Sequence, residues 1–308
     1  MAVKNEIVNY KDFGKCIRLS NDAVELIVSI EFGPRILRYG FIDGENILND
    51  NKAYFEPDSS DKFQKFFGEG KYYKTYGGHR LWTAPEFYPE MYYPDNDTVE
   101  YELTQNGVIL TPPPQNENGI QMRISITLDD VNTDVTVEHT ITNFNERIKE
   151  FSAWALTVGA KGGTEIIPLN TNDTHLLPNG KIAVWPYTDL RKKELYLGKK
   201  YVTIRQPKEG RIKLGFDLRC GTVYYVLGNS VFTKKYNPNY PTGNYVDGGV
   251  SYETYSCDEF TELETLSELK KVACGQTIEH TEYWSLSKKP CEFDPEDDTS
   301  IDNFISKL

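Results

Sequence analysis

The residues best suited to chemistry crowd into one stretch, Tyr76 to Glu86, which reads YGGHRLWTAPE. His79 can give or take a proton near neutral pH, Arg80 offers a planar fork of donors, and Trp82 presents a flat apolar face on which a sugar ring or an aromatic ligand could rest. Gly77 and Gly78 permit positive φ or a close backbone approach, and Pro85 stiffens the chain just before Glu86. Charged and titratable groups gathered beside a glycine pair suit a ligand site. The alternative is a buried turn with a stacked tryptophan and a hydrogen-bonded histidine.

A second concentration of polar groups lies late in the chain. In FTELETL, residues 260–266, the side chains of Phe260, Glu262 and Glu264 share one strand face, and Thr261, Leu263 and Thr265 share the other. Acids buried without partners are costly, so the first face meets either solvent or a polar cavity. Two loops add candidates. WPYTDLR gathers Trp185, Tyr187, Asp189 and Arg191 on what is either a binding rim or a sandwich corner, and YVDGG sets Asp247 among aromatic residues and glycines. His139 sits in an apolar row with Val135, Val137 and Ile141, the place of a core histidine bonded to backbone or to a neighbour. His175, at the head of His-Leu-Leu-Pro, could face either way.

The elements that must position these groups are nearly all strands. Alternating or β-branched runs recur from Lys15 to the segment CGQTIEHTEYWSL, separated by turn residues, and Asn106-Gly107 and Gly228-Asn229 mark tight hairpins. Between 99 and 143 no segment keeps a helical period over ten residues, which predicts a meander of antiparallel strands. Two short helices are expected. One covers DSSDKFQKFF, capped by Ser59 or Ser60, with Phe63, Phe66 and Phe67 buried. The other covers about 299–308, capped by Thr299 or Ser300, with Ile301, Phe304, Ile305 and Leu308 as its apolar stripe.

Composition narrows the class. The 308 residues are 39% hydrophobic and 26% charged, which suits a soluble chain with a sizeable core. A net charge of −12 leaves no basic stripe for phosphates, which excludes a nucleic-acid partner. The five cysteines form no CxxC pair and no Cys/His cluster at metal spacing, so no metal and no cofactor is expected, and an odd number suits reduced thiols in the cytoplasm. The opening MAVKNEIVNYKDFGKCIRL is too polar for a signal peptide, and no apolar run approaches the ~18 residues of a membrane helix.

Taken in order, GPRI, GGHRLWTAPE, WALT, LLPNGKIAVWPY, YVDGG, ELETL and CGQTIEHTEYWSL span nearly the whole chain, and together they resemble the galactose mutarotase-like superfamily. The resemblance implies an all-β fold over 1–308 as one domain, a β-supersandwich of two large twisted antiparallel sheets with few short helices. It implies a small-molecule sugar as partner and an aldose 1-epimerase-like activity that interconverts anomers. In that family a late glutamate followed by threonine is the base, a place matched by Glu264. An aspartate holding sugar hydroxyls is matched by Asp247, and His79 with Arg80 resembles the first His/Arg cluster.

The family's acid histidine stands in an Asn-His-x-Tyr-Phe-Asn motif, where this chain has Ala153-Trp154-Ala155-Leu156-Thr157. Either His79, or in its place His175, is then the acid opposite Glu264, or the protein binds sugar without turnover. Arg80, Trp82, Glu86, Trp185, Tyr187, Asp247 and Glu262 complete the expected substrate-binding set. Paired carboxylates such as Glu86 and Glu264 would alternatively suit glycoside processing.

Overall fold

Strands with one apolar face need a second surface to cover it, and the chain meets that need with two large antiparallel sheets. The computed structural model describes residues 2–51 and 56–308. In spatial order the first sheet runs Lys4–Asn9, Lys15–Ser20, Val24–Ser29, Ile36–Phe41, His79–Ala84, Lys149–Gly159, Thr261–Leu266, Tyr252–Ser256, Ile212–Phe216 and Ile182–Val184, with Lys270–Val272 pairing beside Lys149–Gly159. The second runs Leu195–Leu197, Tyr201–Arg205, Thr164–Pro168, Thr222–Leu227, Ser230–Tyr236, Thr277–Lys288, Val135–Asn143, Ile120–Leu128, Gly107–Thr111 and Glu100–Thr104. Their facing sides form a shared core to which Ile17, Leu26, Tyr39 and Leu263 contribute from one sheet and Ile124, Val137, Phe232 and Trp284 from the other. Among the described residues no helix is long and apolar enough to cross a membrane.

The helices differ from expectation in detail. Asp61–Phe67 is capped by Ser60, whose side chain accepts from the Phe63 N–H, but only Phe63 and Phe67 are buried and Phe66 is 38% exposed. The last helix is Asp298–Ile305 with Asp297 as its cap, so it begins slightly earlier and ends three residues earlier than expected, leaving Leu308 outside it and exposed. The first hairpin also moves by one residue. Thr104 pairs with Gly107, so Gln105 and Asn106 form the turn and Gly107 belongs to the strand. A Cβ on Gly107 would lie 1.8 Å from the Ile126 carbonyl oxygen, and that close approach is the reason for glycine there.

YGGHRLWTAPE contains a strand of the first sheet, His79–Ala84. Its glycine pair answers to the backbone. Gly78 adopts φ +65°, and a Cβ there would stand 2.4 Å from the Ile36 carbonyl oxygen. Being a strand, the segment sends His79, Leu81 and Thr83 to one face and Arg80, Trp82 and Ala84 to the other.

His79 therefore enters a polar layer between the sheets. Lys234 and Glu282, both fully buried, pair at 2.8 Å. The ammonium also donates to Thr157 Oγ1 and to the Leu263 carbonyl, each at 2.8 Å, so its three protons are used. His139 Nδ1 donates to the His280 carbonyl at 2.9 Å, so its neutral ring accepts through Nε2 from His79 Nε2–H at 2.8 Å, and His79 Nδ1 accepts from Thr157 at 2.9 Å. Burial holds the His79 ring well below the ordinary histidine range and lowers His139 as well. Side-chain atoms of His79, His139 and Glu282 lie within 4.8 Å of one another, a spacing that would suit a metal, but the Lys234 ammonium supplies the positive charge there.

Glu165, in the same layer, accepts from the hydroxyls of Tyr252 and Thr254. Burial pushes its carboxyl from the ordinary 4.5 up to about 8. A raised folded value means stability that is complete below the unfolded value and is lost as pH rises through the folded one. Replacing Glu165 by Gln should accordingly raise the melting temperature relative to wild type more at pH 9 than at pH 5 in scanning calorimetry. A difference that stays flat over that range would show that the carboxyl carries no such burden.

Candidate functional site

The outer face of the first sheet carries the opposite set of side chains in three cross-strand rows. Trp82, Trp154 and Leu266 form one. Arg80, Leu156, Glu264, Glu253 and Gly215 form the next, and Val158, Glu262, Tyr255 and Lys213 form the third. Above these rows lies a cleft of about 450 Å³ into which Glu86, Tyr92, Tyr187 and Arg211 also project. That volume lies in the range of small-molecule sites.

Its floor is an ionic lattice. Arg80 Nη2 meets Glu262 Oε1 at 3.0 Å, and the guanidinium lies over the Trp82 ring, 4.2 Å from its centroid. Lys213 Nζ bridges Glu264 Oε2 at 2.7 Å and Glu253 Oε2 at 2.8 Å, between the rings of Trp154 and Trp185. Trp154 Nε1 donates to Glu264 Oε2 at 3.0 Å. Several buried polar atoms remain without a hydrogen-bond partner, among them Arg80 Nε and Nη1, Glu264 Oε1 and Glu253 Oε1. Buried polar groups are nearly always bonded, so unpaired atoms in a cleft wall are places for a ligand's own polar groups.

Burial pushes the Glu264 carboxyl up to about 7 against the pull of Lys213, and pushes Glu253 up to about 8. Lys213 itself is held above the ordinary lysine value, its two carboxylate partners outweighing the cost of burial.

The structure thus brings Arg80, Trp82, Glu86, Tyr187, Glu262 and Glu264 to one cleft. It does not bring His79 there. The expected pairing of His79 with Glu264 across a cleft is corrected by strand alternation, which puts the imidazole on the far side of the sheet from Arg80. None of the four histidines lines the cleft; His175 is exposed on a loop, and His139 and His280 are buried with His79.

Trp185 packs beside Gly215 with its ring near the Lys213 ammonium and does not line the cavity. Asp247 is exposed on its loop, outside the lining, though close enough to help raise Glu253. Trp82 is packed against Tyr73, Tyr92 and Trp154 as well as Arg80 and is only 7% exposed, so its role is that of a wall. Tyr187, 48% exposed, is the more open ring. Sequence reasoning passed over Trp154, Lys213 and Glu253. The signal for Lys213 was a lone lysine within the apolar strand Ile212–Phe216.

No protein-family model matches the chain, and no curated protein matches it in sequence. Solved structures do match. A candidate aldose 1-epimerase from Klebsiella pneumoniae superposes with a TM-score of 0.60 at 10% identity, covering 99% of this chain and 86% of its own. A galactose mutarotase-like protein from Lactobacillus casei gives 0.59 at 8% identity over 88% of this chain and all of its own. A candidate mutarotase from Salmonella typhimurium gives 0.55 at 9% identity over 93% and 94%. At such identities the likeness is one of fold. The chain has the galactose mutarotase-like fold, two large antiparallel sheets packed face to face with a cleft on the outer side of one of them.

Proposed function

We propose that the protein binds a neutral sugar in this cleft and interconverts its anomers through carboxyl groups, an aldose 1-epimerase-like reaction run without histidine. The observation that carries the reading is the set of buried, unpartnered polar atoms of Arg80 and Glu264 in the wall of an aromatic-lined cleft. Donors and acceptors interleaved beside rings suit a polyol, whose hydroxyls both give and accept hydrogen bonds. The neutrality of the ligand follows from charge. Arg80 and Lys213 are already paired with Glu262, Glu253 and Glu264, and of the remaining charged groups of the lining the acids Glu56 and Glu86 outnumber Arg211, so a phosphorylated sugar would meet more repulsion than attraction. The names of the neighbouring structures, epimerase and mutarotase, support the same class.

Titration calorimetry with a panel of aldoses tests binding, and polarimetry of freshly dissolved sugars tests turnover. At least one neutral aldose should bind and equilibrate faster than in buffer, while its phosphate binds more weakly. Tyr187→Ala should weaken binding about tenfold, since an open ring that stacks on the sugar is lost without disturbing the core. Lack of binding to every aldose tried would end the proposal. Because no histidine lines the cleft, a second reading is a sugar-binding protein without turnover, and it wins if binding occurs with no polarimetric acceleration.

A further inference from the structure

Two carboxyls, Glu264 of the cleft lining and its cross-strand neighbour Glu253, share one ammonium. Glu253 and Glu264 face each other across neighbouring strands, are 1% and 0% exposed, and each gives one oxygen to Lys213 Nζ and keeps the other buried without a partner. Two carboxylates on one ammonium leave a net negative charge in a place nearly closed to water. A single proton held by the pair removes it. Two residues along the strand, Glu262 differs, since it pairs with the Arg80 guanidinium and its side chain, though buried, keeps 11% exposure.

We propose that Glu264 enters the reaction as the acid, with a proton it shares with Glu253 over Lys213, and that Glu262, paired with Arg80, is the base. This assignment rests on the sugar reading above. Side chains at i and i+2 of a strand stand roughly 7 Å apart, and the ring oxygen and the anomeric oxygen are attached to the same carbon, so a sugar seated between the two carboxyls presents one oxygen to each.

Glu264 gives its proton to the ring oxygen as the bond from that oxygen to C1 breaks, its electron pair going to oxygen. Glu262 takes the proton of the anomeric hydroxyl, and the O–H electron pair becomes the second bond of the C1 carbonyl. Rotation about C1–C2 and reversal of both transfers closes the other anomer and returns both protons to their starting groups. Lys213 and Glu253 are positioning residues here: Lys213 holds the two carboxyls together, and the like charge of Glu253, with burial, opposes ionisation of Glu264.

The upward displacement of both carboxyls agrees with this geometry. The other charged groups that act on the pair are Arg80 and Glu262 on the same face, Asp247 beside Glu253, and Glu165 and Lys234, which act through the sheet from its inner side. Tyr187 above the cleft also feels Glu264.

Carbon-13 NMR of glutamate-labelled, ligand-free protein tests the inference without any sugar. The wild-type pair should lose its protons in two coupled steps, the upper one near neutrality. Glu253→Gln should leave a single step for Glu264, moved at least one pH unit to the acid side, because a like charge has gone and Lys213 remains. The polarimetric rate should fall as pH rises through that step, and the fall should begin at correspondingly lower pH in Glu253→Gln. Glu262→Gln should lose about 100-fold in rate with sugar affinity changed only a few-fold.

If both wild-type carboxyls are ionised at pH 6, the inference is overturned whatever the sugar results. If no sugar binds, the functional reading fails while the titration is still free to agree or disagree. The wild-type titration decides alone should Glu253→Gln not fold.

Discussion

Glu264→Gln is expected to slow anomer exchange by 10²- to 10⁴-fold, the range seen when a positioned acid or base is removed. Whether Glu264 gives the proton or takes it, an amide can do neither. The fold should survive the change. Gln has the same shape, its carbonyl can still accept from Trp154 Nε1, and Lys213 retains Glu253 as a partner. Loss of a carboxyl that burial already holds near neutrality removes little favourable charge. Polarimetry against thermal melting separates the two effects. An unchanged rate in a folded variant would remove Glu264 from the chemistry, and a collapsed melting temperature would leave its role structural.

Lys234→Met should destabilise the protein by about 3–5 kcal/mol, the usual cost of leaving one member of a buried ion pair alone. The lysine holds Glu282 and also the Thr157 hydroxyl and the Leu263 carbonyl, so it ties together the two strands that carry Trp154 and Glu264 on their outer side. In the variant Glu282 keeps its bonds from Trp284 and Thr265 but loses its counter-charge.

The pH dependence has a definite sign. Wild-type Glu282 is held far below the ordinary carboxylate range, so its stabilising contribution is present at neutral pH and is lost as pH falls through the folded value. Without Lys234 the same carboxyl is a lone buried charge that gains by taking up a proton, so the gap between variant and wild type should narrow on acidification. Urea denaturation at pH 7 and pH 5 measures both quantities. Adding Glu282→Gln to Lys234→Met should recover part of the loss, as coupling between paired groups requires. A loss under 1 kcal/mol would show that the layer between the sheets is not held by this pair.

Much of the architecture was legible in the chain. Runs such as IQMRISITL and VTVEHTITN alternate so regularly that only half-buried strands can use them, and they emerge as Ile120–Leu128 and Val135–Asn143, adjacent and in register. The turn Gly228-Asn229 closes its hairpin as expected. The same rule applied to FTELETL put Glu262 and Glu264 on one face, where they are found. It was not applied to HRLWTA. There His79 and Arg80 are both polar, so the alternation is hidden, and the segment's functional groups divide between the two faces of a strand.

The sequence by itself determined that this is a strand-built chain with acids grouped late and an aromatic, basic cluster early, because side-chain period and turn chemistry are local properties. Which face of each central strand became cleft and which became core was decided only by tertiary structure. Both faces of those strands are covered, so hydropathy cannot distinguish them. The partners that make each polar group tolerable, His139 for His79 and Lys213 for Glu264, lie 60 and 51 residues away and meet them only when the sheets assemble.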